Sequence, residues 1–152
     1  AQRPNQPVFR SGPWFVVRSV REGGNVVACT GFYRANRGVQ LSKDSLVIKT
    51  RQEIRTVSLG FDGKPMAAPR PLSAAEKQLG AVALTGEDFA QLGRSSKLRL
   101  AIVTDQGSQT HELELRGLKG ALDNINAGCP VPDKPLQRPM PPGQRQLREG
   151  KG

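Results

Sequence analysis

The chain has 152 residues, of which 36% are hydrophobic, and its formal net charge at pH 7 is +10. This length suits one domain with a substantial core. No apolar run approaches the roughly 20 residues that a membrane-spanning helix requires, so the composition favours a globular domain over an integral membrane protein.

The N-terminal segment, residues 1–13, is predicted to be an extended arm. It contains Pro4, Pro7 and Pro13 and shows no periodic apolar pattern. Its first residue is Ala1 and not methionine, which is typical of a mature exported protein after cleavage of a signal peptide behind a small residue. A trimmed chain would begin in the same way.

The segment 14–129 is predicted to form one domain of many short strands. Strands are expected at 14–20, 26–33, 39–42, 45–50, 54–61 and 81–84, and on both sides of a turn at 105–108. Turns at 22–25 and 62–63 separate some of them, and the prolines in 65–71 are expected to break sheet pairing. This pattern predicts a mainly β fold, an antiparallel β-sandwich or open barrel with two or three short helices.

Two of the helices have sequence signals at their ends. The first is expected to open with a capping box formed by Ser73 and Glu76 and to end at Gly80. The second is expected to start at Thr85, whose side chain is predicted to cap it, and to end at Gly93. A third short helix is expected to follow the hairpin that contains the turn at 105–108.

The two cysteines, Cys29 and Cys129, are 100 positions apart. Their spacing fits neither a zinc site nor a thioredoxin-like motif, which both require close pairs. One interpretation is two unrelated buried thiols. The interpretation we favour is a single long-range disulfide, which predicts an oxidising compartment and therefore an exported protein.

The last segment, residues 130–152, has a different composition, with six prolines, five basic residues and two acidic ones. It cannot bury enough apolar surface to fold alone and is predicted to adopt polyproline II and coil conformations. We hypothesise that this basic tail wraps around a partner. The tail residues predicted to bind the partner are Lys134, Arg138, Arg145 and Arg148.

Positive charge is concentrated in the first part of the domain. Residues 14–55 hold eight basic and three acidic residues, whereas residues 56–129 hold eight of each. This pattern predicts a contact surface for an acidic protein or an anionic envelope surface. The residues assigned to this surface are Arg18, Arg21, Arg34, Arg37, Lys49, Arg51 and Arg55. The alternative is a solvated face that maintains solubility.

Two details refine this prediction. Lys49, Arg51, Glu53 and Arg55 share parity, so they are expected to line one sheet face. Nucleic acid is a disfavoured partner, because the chain has only seven aromatic residues and none form an array interleaved with basic residues.

No catalytic, cofactor or metal site is predicted. The one histidine, His111, alternates in phase with Leu113 and Leu115 and is expected to be an inward or boundary residue. No nucleophile elbow, phosphate-binding glycine loop or cluster of metal ligands is present in the sequence. We therefore expect a protein without enzymatic activity and without a cofactor.

Short motifs between residues 13 and 130 resemble the invasion-associated locus B family of exported bacterial proteins. They are Gly-Pro-Trp-Phe-Val at 12–16, Cys29 on the next strand, Leu-Thr-Gly-Glu-Asp-Phe at 84–89, and the segment 112–122 followed by Cys129. The resemblance implies a periplasmic or surface β-sandwich without catalysis. It also implies an association with host-cell entry in pathogens and a general envelope role elsewhere.

These observations favour a periplasmic accessory protein that docks through its basic strands and tails onto a larger envelope or membrane protein assembly. The alternative is a soluble ligand-binding or inhibitor module, for example of a peptidoglycan hydrolase, or a host-interaction factor as in the resembled family. In the first interpretation, binding of the partner should depend strongly on salt concentration. In the second, binding in a small apolar pocket should depend on it much less.

Overall fold

The structure, a computed structural model, describes residues 5–20 and 27–133 of the chain. Its strands are β1 (Asn5–Ser11), β2 (Trp14–Val20), β3 (Val27–Tyr33), β4 (Asn36–Leu41), β5 (Leu46–Lys49), β6 (Ile54–Phe61), β7 (Arg70–Pro71), β8 (Ala81–Leu84), β9 (Lys97–Thr104) and β10 (Gly107–Glu114). Its helices are α1 (Ala74–Leu79), α2 (Gly86–Leu92) and α3 (Leu118–Asn126).

The strands form two antiparallel sheets, and the predicted mainly β fold is confirmed. The first sheet has the order β1-β2-β3-β4-β5-β8 and the second has the order β10-β9-β6-β7. Buried side chains of both sheets belong to one hydrophobic core, including Val39 and Ile48 from the first sheet and Leu100 and Ile102 from the second. The inner faces of the two sheets therefore pack against each other, as in a sandwich.

Alternation along the strands explains how each sheet gains an inner and an outer face. In β2, Trp14 and Val16 are fully buried, whereas Phe15 and Val17 point to the opposite side and are half-buried. Successive side chains of a strand lie on opposite faces, so this two-residue period directs one set to the core and the other outward.

An aromatic pair joins the two sheets at the free edge of β10. The indole Nε1 of Trp14 donates a hydrogen bond of 2.9 Å to the carbonyl of Glu114, and the Glu114 N–H donates one of 3.1 Å to the Tyr33 hydroxyl. The rings of Trp14 and Tyr33 meet edge to face, 4.9 Å apart. Side chains of the first sheet thus satisfy the backbone of the second at an edge where no other strand of the described residues pairs with it.

Helix α3 covers the inner face of β1, β2 and β3. Its buried residues are Leu118, Ala121 and Ile125. Gly117, just before the helix, has φ 86°, and a Cβ atom there would lie 2.1 Å from the Ser11 carbonyl oxygen, so the approach requires glycine.

A disulfide ties the end of α3 to the first sheet. Cys29 on β3 is bonded to Cys129, which follows the helix. The long-range disulfide predicted from the sequence is therefore confirmed, as are the hairpin and the short helix that bring Cys129 into place.

A buried ion pair closes the opposite side of the sandwich. The Glu76 carboxylate, 3% exposed, accepts two hydrogen bonds from the Arg70 guanidinium, at 2.8 and 3.0 Å, and one from the N–H of Ala83 on edge strand β8. It also accepts from the Ser73 N–H, while the Ser73 hydroxyl accepts from Glu76 N–H. The predicted capping box is confirmed, and its glutamate also links β7, α1 and β8.

The structure departs from the sequence predictions in several elements. Part of the segment expected to be an arm is strand β1, Asn5–Ser11, which pairs with β2 through a bulge between Pro7 and Phe9. The expectation that prolines break pairing throughout 65–71 is wrong at its end, because Arg70–Pro71 pairs with β6 as a short edge strand.

The second helix and the last hairpin also differ in detail. Thr85 occupies the N-cap position of α2, but its side chain makes no capping hydrogen bond, so the predicted side-chain cap is wrong. The β9–β10 turn is tighter than predicted, since Gly107 already pairs with Thr104. The predicted turn at 22–25 lies outside the described residues, as does residue 26 of the predicted second strand.

Candidate interaction surface

Charge divides the described domain into two parts. Residues 5–20 and 27–43, which include strands β1 to β4, hold five basic residues and no acidic one; we call this part the basic half. Its basic residues are Arg10, Arg18, Arg34, Arg37 and Lys43. Residues 54–129 hold nine basic and eight acidic residues, and we call them the paired half. The predicted excess of positive charge thus falls on one part of the first sheet.

Arg18 has a structural role in the basic half. Its guanidinium donates hydrogen bonds to the carbonyl oxygens of Gly128 and Cys129, at 3.2 and 2.9 Å. These carbonyls follow the C-terminal end of α3, where a positive charge is favourable. Although the sequence assigns Arg18 to a partner-binding surface, the structure uses its guanidinium beside the disulfide.

Arg37 lies over two aromatic rings on the outer face of the first sheet. Phe15 on β2 and Phe32 on β3 are opposite each other in register, and their rings stack with centroids 5.5 Å apart. The Arg37 guanidinium carbon is 4.9 Å from the Phe15 centroid and 5.8 Å from that of Phe32. We call these three residues the aromatic cluster. Both rings are half-buried, so part of each faces solvent.

Arg34 lies at one end of the sandwich, in the turn between β3 and β4. Its backbone N–H donates to the Pro13 carbonyl at 2.8 Å, which holds this turn against the turn between β1 and β2. Arg34 and Arg116 line an open, shallow depression there together with Gly12, Pro13 and Ala35. Arg116 is paired with Glu114 at 3.2 Å, whereas no carboxylate of the described residues lies within ion-pair distance of Arg34.

Three other predicted residues do not share a face. Lys49 ends β5 in the first sheet, Arg51 lies in the following loop, and Arg55 is on β6 in the second sheet. The chain leaves one sheet and enters the other between residues 49 and 54, so shared parity does not place these side chains together. All three are exposed, but the prediction of one continuous sheet face is wrong, and none of the three belongs to the basic half.

The remaining predicted contact residues lie outside the described part of the chain. They are Arg21, Lys134, Arg138, Arg145 and Arg148. Their assignment to a partner-binding surface stays a prediction.

In the paired half, charged side chains form ion pairs with each other. Arg99 and Glu112 face each other on the outer face of the second sheet at 2.9 Å, and Arg94 pairs with Glu87 on the surface. The Arg99 hydrogen bond and charge lower the pKa of Glu112. These pairs lie in solvent, where each contributes little to stability.

The buried pair in this half has the strongest electrostatic effect. Burial alone would raise the pKa of Glu76, but the hydrogen bonds from Arg70 and from the backbone N–H groups of Ser73 and Ala83 outweigh burial and lower it to about 2. The same contact raises the pKa of Arg70, since the hydrogen bond to Glu76 exceeds the opposing effect of burial. Both groups therefore remain charged at neutral pH.

The ring of His111 lies beside a glutamine side chain. Its Nε2 lies 3.1 Å from the Gln109 side-chain oxygen, and the Gln109 amide in turn donates to Gln52 at 2.7 Å. His111 is half-buried at the boundary of the sandwich, in agreement with its predicted place. Across residues 5–20 and 27–133, no group of three or more His, Cys, Asp or Glu side chains is arranged to hold a metal ion.

Sequence reasoning did not identify Phe15 and Phe32 as surface residues of interest. Alternation alone places each on the face opposite a buried neighbour, Trp14 and Tyr33 respectively. The predicted turn at 22–25 is centred midway between positions 15 and 32, so the sequence does contain a signal that the two rings lie opposite each other. By contrast, the position of Arg37 above them depends on the irregular pairing of β3 and β4 between Phe32 and Tyr33.

Comparison with known proteins adds no relative. No protein-family model, no curated protein and no solved structure matches this chain. In the described residues, no helix is both long enough and apolar enough to cross a membrane. The resemblance to the invasion-associated locus B family stays a prediction from the sequence.

Proposed function

We propose that this protein is an exported binding protein without enzymatic activity, which docks through its basic half onto an acidic partner in a larger envelope or membrane protein assembly. The observation that carries the proposal is the charge division. Residues 5–20 and 27–43 hold five basic residues and no acidic one, while the paired half is nearly neutral. A surface of one sign favours encounter with a partner of opposite sign.

The disulfide supports the compartment in this proposal. Disulfides such as Cys29–Cys129 persist mainly in secreted and periplasmic proteins, because reducing systems keep cytosolic thiols free. The resemblance to an exported bacterial family is consistent with the same location. The basic tail from residue 130 would add positive charge to the docking surface.

The experiment compares charge reversals in two regions. The double variant Arg34→Glu/Arg37→Glu removes positive charge from the basic half, and Arg51→Glu/Arg55→Glu makes the same change in net charge elsewhere. Each chain is expressed in the native cell, purified from membranes in mild detergent, and the bound protein is quantified by mass spectrometry at low and high salt. All four positions are exposed, so neither variant is expected to disturb the core.

We expect the first variant to lose the partner that the wild-type chain retains, and the second to keep most of it. High salt should release the partner from the wild-type chain, because salt screens exposed charges. The screening length is about 8–10 Å at physiological salt and becomes shorter at high salt. Equal retention by both variants, or retention that is insensitive to salt, would contradict the proposal. A chain that ends at Asp133 measures the separate contribution of the tail.

A further inference from the structure

On the outer face of the first sheet, two phenylalanines lie between polar residues of the neighbouring strands. Phe15 is opposite Arg10 of β1 on one side and Phe32 of β3 on the other, and Phe32 is opposite Gln40 of β4. Beyond Gln40 the row continues to Val47 of β5 and Ala83 of β8. Aromatic residues in the middle of a patch with a polar rim are typical of protein–protein contact surfaces.

Arg37 holds its positive charge above the two rings. Its guanidinium carbon lies 4.9 and 5.8 Å from their centroids. A guanidinium carries its N–H groups in its own plane, where they can donate two parallel hydrogen bonds to one carboxylate. Among the residues that the structure describes, no carboxylate lies within ion-pair distance of Arg37, so this guanidinium has no partner of opposite charge within the described chain.

We propose that the aromatic cluster is the anchor point for an acidic protein segment, which places a carboxylate on Arg37 and a neighbouring apolar side chain on the Phe15–Phe32 pair. This inference rests on the proposed function and names the chemistry of its contact. Arginine is enriched among the few residues that contribute most to protein–protein binding, and phenylalanine is enriched at protein–protein interfaces in general. The absence of acidic residues from the described basic half makes it complementary to an acidic segment.

A nucleic acid fits this site less well. Proteins that bind single strands offer successive rings on which bases stack. On the described outer face of the basic half, Phe15 and Phe32 are the aromatic residues, and Arg37 already covers them, whereas Trp14 and Tyr33 point into the core.

A lipid surface also fits less well. Insertion into a bilayer interface requires apolar side chains that project together into the membrane. The exposed large apolar residues of the described chain lie on separate elements: Val27, Leu79, Val103 and Val131. Phe15 and Phe32 lie within the sheet and are half-buried, which suits contact with another protein surface.

The test uses the full chain and short fluorescently labelled peptides, with binding measured by fluorescence anisotropy. The probe peptide alternates Glu with Phe. Two control peptides replace Glu by Gln or Phe by Ser, and a labelled oligothymidine and phosphatidylglycerol vesicles test the other partner classes. The protein variants are Arg37→Gln, Arg37→Lys and, as a matched loss of one exposed positive charge on the second sheet, Arg55→Gln.

We expect the wild-type chain to prefer the Glu–Phe peptide over both control peptides. Arg37→Gln should weaken binding about tenfold, as for loss of a charged hydrogen-bonded contact. Arg37→Lys should weaken it nearly as much, because lysine keeps the charge but loses the planar guanidinium that donates two parallel hydrogen bonds. Arg55→Gln should change binding less than about twofold, since only long-range charge is lost. Unchanged melting temperatures show that each variant is folded.

The outcomes separate the two proposals. If the wild-type chain binds the acidic peptide but Arg37→Gln and Arg55→Gln weaken it equally, the anchor is wrong while docking through positive charge stands. Preference for oligothymidine or vesicles over the peptide overturns the acidic protein segment as the partner. If the acidic peptide is bound no better than its Gln control, both the anchor and the proposed function fail.

Discussion

The basic half and the paired half both contain antiparallel strands, but their charged side chains differ in the partners that they have. In the paired half, Arg70 and Glu76 are joined inside the sandwich edge, and Arg99 and Glu112 are joined on its surface. In the basic half, arginines accumulate without acidic neighbours in the described sequence, and Arg37 rests on aromatic rings. The arginines of these pairs therefore face carboxylates of the same half, whereas Arg37 has no carboxylate among the described residues within ion-pair distance.

Removal of the disulfide is expected to have the largest effect on this comparison, because it joins the basic half to helix α3. The Cys29→Ser/Cys129→Ser variant should lower the free energy of unfolding by about 4–5 kcal/mol, as estimated for a closed loop of about 100 residues. Urea denaturation of the oxidised wild-type chain and of the variant, at the same pH, measures the difference.

A decrease of less than about 1 kcal/mol would mean that the two halves hold together without the covalent bond. The stability of the paired half can then be followed separately through the protection of β9 amide protons from hydrogen exchange. Equal loss of protection in β2 and β9 would show that both halves still unfold as one unit.

The second-largest loss of stability is expected for replacement of Glu76, the buried carboxylate of the paired half. The pKa of Glu76 is about 2 in the folded protein against an ordinary value of 4.5, which corresponds to about 3 kcal/mol of stabilisation. This stabilisation is fully present above pH 4.5 and is lost as the pH falls toward 2, where the carboxylate becomes protonated. Glu76→Gln should therefore lower the unfolding free energy by about 3 kcal/mol at pH 7.

The difference between Glu76→Gln and the wild-type chain should shrink as the pH falls from about 4.5 to about 2. Denaturant titrations at several pH values measure it. A difference that stays constant over this range would show that lost packing, and not the charge of Glu76, destabilises the variant. Glu112→Gln is the matched control, because its pair with Arg99 is exposed to solvent.

The smallest difference in stability is expected between variants of two arginines of the basic half. Arg18→Gln should lower the unfolding free energy by about 1–2 kcal/mol, because it removes charged hydrogen bonds to the carbonyls of Gly128 and Cys129. Arg34→Gln should change it by less than about 0.5 kcal/mol, as is usual for an exposed side chain. Thermal unfolding of both variants measures the contrast, and equal effects would refute the structural role assigned to Arg18.

Much of the fold follows from local sequence signals. Alternation predicts the inner face of β9 at Leu98, Leu100 and Ile102, and these residues are fully buried. The capping box at Ser73 and Glu76 predicts the start of α1. These features are set by residues a few positions apart in the chain, so they can be recognised in the sequence without knowledge of the fold.

The errors arise where the pairing of strands decides the outcome. Strand β1 contains Pro7 and a bulge, and its pairing with β2 gives it a structure that its own pattern does not indicate. Lys49 and Arg55 share parity but belong to different sheets, because the chain crosses the sandwich between them. The position of Arg37 in the aromatic cluster depends on the irregular pairing of β3 and β4, which residue types alone do not fix.

Trp14 is the one tryptophan of the chain, and it is fully buried where the first sheet donates a hydrogen bond to the backbone of the second. Its fluorescence therefore comes from a single position at the seam between the sheets. Any opening of that seam admits water to the indole and shifts its emission to longer wavelength, so the unlabelled protein carries its own optical probe of sandwich closure.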